Sequence, residues 1–174
     1  LAQRTSHPDF LVARWTDAFG IEITKQICDW NQMPSDTYIR VNPLHPQAAS
    51  WVVEADGLEP VGHGFYRCER LPREAIAAGW CYVQDPSTGV APRLLTPQPG
   101  ELVLDACAAP GGKSAHLAEC DPSLRITALD VDARRVRRMQ ETFARLGLAI
   151  DSQTADALRP DAWWDGLSYD AILI

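Results

Sequence analysis

A glycine-containing loop is the part of this sequence best suited to hold a ligand. The apolar run Leu102–Asp105 leads into this loop, and a helical pattern begins at Gly112. Small residues and paired glycines let a ligand approach the backbone closely, and a helix start offers unbonded N–H groups to polar or anionic atoms. In open α/β sheets, ligands bind beyond the carboxyl ends of the strands. The segment that this pattern predicts as a ligand site consists of Ala106, Cys107, Ala108, Ala109, Pro110, Gly111, Gly112, Lys113 and Ser114.

Two acidic residues strengthen this prediction. Asp130 ends the second predicted strand, eighteen residues after Gly112, which is about the separation at which an acidic side chain meets the ribose hydroxyls of a bound nucleoside. Asp156 follows the third predicted strand, where it could face an adenine edge. Either residue alone is more typical of a helix cap. Their placement after successive strands favours a shared nucleoside site.

Two other nucleotide sites compete with this interpretation. The run Gly112-Lys113-Ser114 suggests the phosphate loop Gly-x-x-x-x-Gly-Lys-Ser of an NTPase. That loop would need glycine at position 107, which is Cys107, and Pro110 lacks an N–H group for the phosphate. A dinucleotide-binding dehydrogenase is disfavoured because Gly-x-Gly-x-x-Gly is absent.

Alternating strand and helix patterns surround the loop. Strands are predicted at 101–106, Arg125–Asp130, 149–154 and 168–174, with helices at Gly112–Cys120 and Ala133–Leu146. Strands separated by helices of this length form a parallel sheet with right-handed crossovers. Before them, the sequence predicts helices at Asp9–Phe19, Ile21–Trp30 and 45–56, with strands at Thr37–Val41 and 64–68. We therefore expect an α/β protein with a small α/β module at 1–80 and a Rossmann-like domain at 81–174.

The charge distribution limits which partners are plausible. A net charge of −7 and a pI near 5.0 argue against a protein held on nucleic acid by bulk positive charge. One dense basic cluster stands out, and the acidic residues beside it favour a solvated helix face. The cluster consists of Arg134, Arg135, Arg137 and Arg138, with Arg145 further along the same predicted helix.

The remaining composition points to a cytoplasmic protein without a metal. The five cysteines form no Cys-x-x-Cys pair, and we expect Cys81 and Cys120 in the core. No run approaches the roughly 20 apolar residues of a membrane span, so no membrane partner is expected.

The loop also carries a family resemblance. Residues 103–113 resemble the first motif of the Sun/Nol/Nop family of RNA 5-methylcytosine methyltransferases, especially its bacterial RsmB branch. The similarity extends to 82–87, and more loosely to 7–11 and 40–42. It implies a class I methyltransferase sheet, here with its first four strands, that binds S-adenosyl-L-methionine. Residues 1–80 would be the RNA-side module.

The resemblance also implies roles for individual residues. Asp130 would hold the ribose hydroxyls, and Asp156 would approach the adenine. The methionine and ribose part of S-adenosylmethionine would be lined by Cys107, Ala108, Ala109, Pro110, Gly111, Gly112 and Lys113.

The expected reaction is methylation of cytosine C5 in small-subunit (16S) ribosomal RNA, in a single-stranded or looped segment. Cytosine C5 is a poor nucleophile, so a thiolate must first add to C6. In the family, both characteristic cysteines follow the strand matching 169–174, so we expect no catalytic residue in this chain and a truncation at both ends. The alternatives are a non-catalytic module that binds cofactor or RNA and, less favoured, the NTPase.

Overall fold

A computed structural model describes all 174 residues, which form two compact units, Leu1–Asp36 and Thr37–Ile174. The first unit is a pair of helices, α1 (Asp9–Phe19) and α2 (Ile21–Trp30), with the bounds predicted from the sequence. The Gln32 side chain donates to the Thr5 carbonyl (2.8 Å) and closes the unit. No helix anywhere in the chain combines the length and the apolar character that crossing a bilayer requires.

The second unit begins with an antiparallel sheet. Its elements are β1 (Thr37–Val41), α3 (Ala48–Glu54), β2 (Leu58–Gly62), β3 (Phe65–Cys68), α4 (Arg73–Ala77) and β4 (Cys81–Val83). The strand order is β2-β3-β1-β4, and every neighbouring pair is antiparallel. This βαββαβ order is the ferredoxin-like arrangement. Its core contains Ile39, Cys68, Ala75 and Cys81.

Three elements of this sheet were not predicted. Strand β2 is an edge strand that contains Pro60 and ends at Gly62, and both residue types weaken a strand pattern. Helix α4 has five residues, too few to show a helical period, and β4 has three. Because β4 pairs with β1, the first sheet extends to residue 83.

The second sheet of this unit is parallel. Its strands are β5 (Leu102–Asp105), β6 (Arg125–Asp130), β7 (Asp151–Thr154) and β8 (Ala171–Leu173). The helices of this part of the chain are α5 (Val90–Leu95), α6 (Gly112–Cys120) and α7 (Ala133–Leu146). The strand order β7-β6-β5-β8 is that of a Rossmann-like half-sheet, so the predicted α/β fold class is confirmed. Cys120, expected in the core, is exposed because it ends α6.

Two buried polar contacts join the sheets of this unit. The Asn42 side-chain amide donates to the carbonyls of Gly79 (3.0 Å) and Leu146 (3.1 Å). The Arg40 Nε donates to Glu119 Oε2 (2.6 Å), and both side chains are buried. The first contact reaches the end of α7, and the second reaches the last turn of α6. The antiparallel sheet is therefore attached directly to the helices that flank the parallel sheet.

Candidate cofactor site

The loop at 106–111 lies at the point where the strand order reverses, between β5 and its neighbours. The amide of Ala106 donates to the Leu173 carbonyl at the end of β8 (2.9 Å). The amide of Ala108 donates to the Leu129 carbonyl at the end of β6 (2.8 Å). The loop is thus fixed to the strands on both sides of β5. In open α/β sheets, this reversal creates the crevice in which ligands bind.

Helix α6 begins with unbonded amides. Its first residue follows Gly111, which has φ +101° and provides no side-chain cap. The first intrahelical bond runs from the Ala115 amide to the Gly111 carbonyl (2.9 Å), so Gly112, Lys113 and Ser114 have no helical acceptor for their amides. These amides and the positive end of the helix dipole favour a polar or anionic group of a ligand.

A buried hydrogen bond closes the base of the loop. The Ser114 hydroxyl donates to Asp105 Oδ2 (2.6 Å), and Asp105 is fully buried. Burial raises the pKa of the Asp105 carboxyl, while the Ser114 hydroxyl and the nearby Lys113 ammonium oppose that rise. The bond links the end of β5 to the first turn of α6 and fixes the path of the chain between them.

Gly111 packs directly against α7. A methyl group added at Gly111 would lie 2.8 Å from Phe143 Cε1 and 2.9 Å from Met139 Cγ. Ala108 and Ala109 are buried beside it, whereas Cys107 and Pro110 are exposed and Gly112 and Lys113 are half-buried. Only some of the residues predicted to line the ligand can therefore contact it with their side chains. The buried residues can contribute through their backbone.

Asp130 lies beside the loop, as predicted, and one oxygen of its buried carboxylate, Oδ2, has no hydrogen-bond partner. Oδ1 accepts the Asp132 amide (3.0 Å), and Oδ2 lies 3.2 Å from Arg135 Nη1. Arg135 Nη2 also donates to the Ala109 carbonyl (2.6 Å). The Asp130 side chain is 1% exposed, while that of Arg135 is 48% exposed.

Asp156 is less closely associated with the loop. Its neighbour Ala155 donates its amide to the Asp130 carbonyl (3.0 Å), which places the Asp156 backbone next to the end of β6. Its side chain is exposed and accepts the Leu158 amide (2.9 Å). The structure thus joins the loop to Asp130 through Arg135, whereas the Asp156 side chain stabilises its own turn.

Sequence reasoning missed two residues that contact the loop. Arg135 was assigned to a solvated cluster, although side chains in the first turns of a helix point back toward the preceding strand end. Gln84, just after β4, donates from Nε2 to the Gly112 carbonyl (3.1 Å), while its buried Oε1 has no hydrogen-bond partner. Nothing in the local sequence signals the Gln84 contact, because it depends on how the two sheets pack.

These features fit a nucleoside cofactor with a charged amino-acid chain. The free amides at the start of α6 suit its polar groups, and the two oxygens of Asp130 suit a pair of ribose hydroxyls. No group of three or more His, Cys, Asp or Glu side chains is arranged to hold a metal ion.

Comparisons with known proteins agree with this architecture. The family model described as 16S rRNA methyltransferase RsmB/F matches residues 92–174, and the RsmF/B-like ferredoxin-like domain matches residues 7–59. The chain belongs to the RsmB/F family. The second match overlaps the βαββαβ sheet, and the first covers the parallel sheet with its loop.

Curated members of the RsmB/F family are similar over nearly the whole chain. Ribosomal RNA small subunit methyltransferase B from Xylella fastidiosa is 40% identical over 96% of this chain, and that from Vibrio cholerae is 34% identical over 99%. The probable enzyme of the same name from Bacillus subtilis is 36% identical over 100%. The chain spans about two fifths of the length of these relatives, 42%, 42% and 41% respectively.

Solved structures show the same fold. A methyltransferase homologue protein from Pyrococcus horikoshii superposes with a TM-score of 0.81 at 26% identity, over 99% of this chain and 60% of that one. NSun6 from the same organism, solved with SFG, superposes with a TM-score of 0.79 at 19% identity, over 96% of this chain and 70% of that one. The second likeness concerns the fold alone.

Proposed function

We propose that this chain is the cofactor-holding part of an S-adenosylmethionine-dependent RNA (cytosine-C5) methyltransferase that acts on 16S ribosomal RNA in the cytoplasm. The observation that carries the proposal is the loop at 106–111, fixed between β6 and β8 and followed by the three free amides at the start of α6. The family membership and the names of the relatives support the substrate class.

In this proposal the loop and two acids share the cofactor. The backbone from Cys107 to Lys113 lines its methionine and ribose part, Asp130 accepts hydrogen bonds from the ribose hydroxyls, and Asp156 lies toward the adenine. When bound, S-adenosylmethionine supplies an electrophilic methyl group on a sulfonium. Arg135 contacts both Asp130 and the Ala109 carbonyl, so it borders the ribose position and holds the loop in place.

The proposal assigns different functions to two segments of the chain. Residues 81–174 hold the cofactor, and residues 1–80 form the RNA-side module. The reaction needs a thiolate that adds to cytosine C6, and a base outside its helical stack. The resemblance assigns that thiol to a cysteine after the strand that matches β8. The proposal therefore assigns cofactor binding to the residues of this chain.

Calorimetric titration with S-adenosylhomocysteine, the product of methyl donation, tests the cofactor site. The wild-type chain should bind, and Asp130→Asn should lower the affinity about tenfold or more, because hydrogen bonds to a charged acceptor contribute about 1.5–3 kcal/mol each. Asp151→Asn is the matched control, since Asp151 is exposed at the opposite, amino end of β7, and it should leave the affinity unchanged. ATP with magnesium should give no heat of binding.

Three results would contradict the proposal. Equal affinity in wild type and Asp130→Asn would remove Asp130 from the site. Absence of binding by a chain whose circular dichroism shows it to be folded would exclude a cofactor site in these residues. Binding of ATP in place of S-adenosylhomocysteine would support the phosphate-loop interpretation.

A further inference from the structure

Helix α7 carries three exposed arginines that no packing role explains. We name Arg134, Arg137 and Arg138 the arginine patch. Arg134 Nε lies 3.7 Å from Asp132 Oδ1, and the side chains of Arg137 and Arg138 form no hydrogen bond or ion pair. The helix is held to the sheet by its opposite side, where the buried residues are Val136, Met139, Phe143 and Leu146.

The arginine patch works against the stability of its own helix. Arg134 stands three and four residues before Arg137 and Arg138, so the guanidinium groups are neighbours along one face. Like charges at these spacings destabilise a helix by a few tenths of a kcal/mol per pair. The patch also lies in the half of α7 nearest the positive end of the helix dipole, where cations are disfavoured. Stability therefore does not account for these residues.

The position of the helix places the patch beside the candidate cofactor site. Arg135, within the same two turns, contacts both the Ala109 carbonyl and Asp130. Met139 and Phe143 support Gly111 from the buried face. The patch thus begins within one helical turn of a residue that touches the loop.

The rest of the chain makes this positive surface distinctive. Helix α7 contains five of the sixteen basic residues but one of the twenty-three acidic residues, Glu141. A polyanion is therefore repelled by the net charge of the chain and attracted at one place. Such a distribution orients a polyanion more than it binds one in bulk.

We propose that the arginine patch binds the phosphate backbone of the RNA segment that flanks the target base. The inference rests on the proposed function and adds to it the surface that receives the strand. Three guanidinium groups at helical spacing face solvent, and of these Arg134 alone has an ion-pair contact, with Asp132 at 3.7 Å. Each guanidinium can donate two parallel hydrogen bonds to a phosphate. The contact depends on the phosphate charge and not on the base sequence of the RNA. It therefore positions the strand near the loop, while other groups select the base.

Fluorescence anisotropy of a short labelled single-stranded RNA at several salt concentrations tests the inference. The charge-removing variant is Arg134→Gln/Arg137→Gln/Arg138→Gln, and the matched control is Arg134→Lys/Arg137→Lys/Arg138→Lys. Each single-strand phosphate contact contributes about 0.7 to the slope of log affinity against log salt, so losing three reduces the slope by about two. Between about 50 and 200 mM salt, wild type should therefore lose about twentyfold more affinity than the glutamine variant.

The lysine variant should keep the wild-type slope, because it keeps the three charges. Arg125→Gln removes one positive charge at the amino end of β6, outside the patch, and should also keep the wild-type slope. Binding of S-adenosylhomocysteine should be unchanged in all variants, which separates this inference from the cofactor proposal. A glutamine variant with the wild-type slope would overturn the inference. Two other results would also overturn it. One is a wild-type chain that binds S-adenosylhomocysteine but no RNA. The other is displacement of the RNA by poly-glutamate at equal charge, because that result would assign the patch to an acidic protein.

Discussion

At the scale of single residues, the loop and helix α7 depend on each other through Gly111. Its φ of +101° lies in the region that favours glycine, and its Cα faces Met139 and Phe143 without room for a methyl group. Gly147 ends the same helix with φ +72° and has no atom within 4 Å of an added Cβ. The two glycines share the conformational requirement and differ in packing.

We predict that Gly111→Ala destabilises the fold more than Gly147→Ala. The conformational penalty of about 1–2 kcal/mol applies to both, while overpacking adds about 1–3 kcal/mol at Gly111 alone. Urea unfolding of the two variants measures the difference in the free energy of unfolding. Equal losses in the two variants would show that α7 yields to the added methyl group and that the loop is not rigidly supported.

Sequence patterns predict some of these residues and miss others for a physical reason. Gly111 and Asp130 belong to local patterns, a strand followed by a small-residue loop and an acid at a strand end. Arg135 and Gln84 meet the loop from other elements, and their roles arise from packing between segments far apart in the sequence. A local sequence pattern therefore cannot predict such contacts.

At the scale of elements, helix α6 connects the candidate cofactor site to the antiparallel sheet. Its first turn borders the loop, and Glu119 near its end pairs with Arg40 of β1. The Arg40 guanidinium also lies 5.0 Å from the Phe65 ring centroid. Burial raises the pKa of the Glu119 carboxyl, and the Arg40 charge opposes that rise. Both ends of α6 are therefore fixed by polar contacts.

We predict that Glu119→Ala destabilises the second unit by about 3–5 kcal/mol, because it leaves the Arg40 charge buried without a counter-charge. The double variant Arg40→Met/Glu119→Leu should lose less than the sum of its single variants, since it removes both charges and keeps apolar volume. Urea unfolding of wild type, the two single variants and the double variant gives the coupling energy. Strictly additive losses would contradict the idea that this pair joins the two sheets.

The predictability of the elements follows their length and period. Helices α6 and α7 and strand β6 have the predicted bounds. The ends of α7 are marked in the sequence by Asp132, which caps its first turn, and by Gly147. Strands β2 and β4 and helix α4 were missed because they are short or interrupted by proline. Their order in the sheet, which makes the module ferredoxin-like, depends on pairing that no local pattern contains.

At the scale of the whole molecule, a buried histidine lies where the two sheets of the second unit meet. His116 of α6 is 2% exposed, its ring meets Phe65 of β3 edge-on at 6.0 Å, and its Nδ1 has no hydrogen-bond partner. Burial, together with the charges of Arg40 and Arg93 and the nearby His63, lowers the pKa of His116 to about 4. Between about pH 4 and 6.5 the folded chain therefore holds this ring neutral, whereas the unfolded chain protonates it.

This difference makes the stability of the second unit depend on pH. An unfolded histidine takes up a proton near pH 6.5, and the folded one does so near pH 4, so acid favours the unfolded state between these values. The free energy of unfolding should therefore be fully retained above about pH 7 and fall by about 2 kcal/mol at pH 5 through this group alone. The raised pKa values of Asp105 and Glu119 act in the opposite direction, because the folded state binds their protons more tightly.

We predict that His116→Gln removes this part of the pH dependence. The variant loses stability at every pH, but its loss between about pH 7.5 and 5 should be smaller than that of wild type by about 2 kcal/mol, because glutamine has no proton to take up. Asp105 and Glu119 remain in both proteins, so their effect cancels in the comparison. His45→Asn, at a histidine that packs on Trp80 and is not among the groups around His116, is the control and should keep the wild-type dependence. Urea unfolding followed by tryptophan fluorescence measures all three, and parallel curves for wild type and His116→Gln would mean that the ring is protonated in the folded chain.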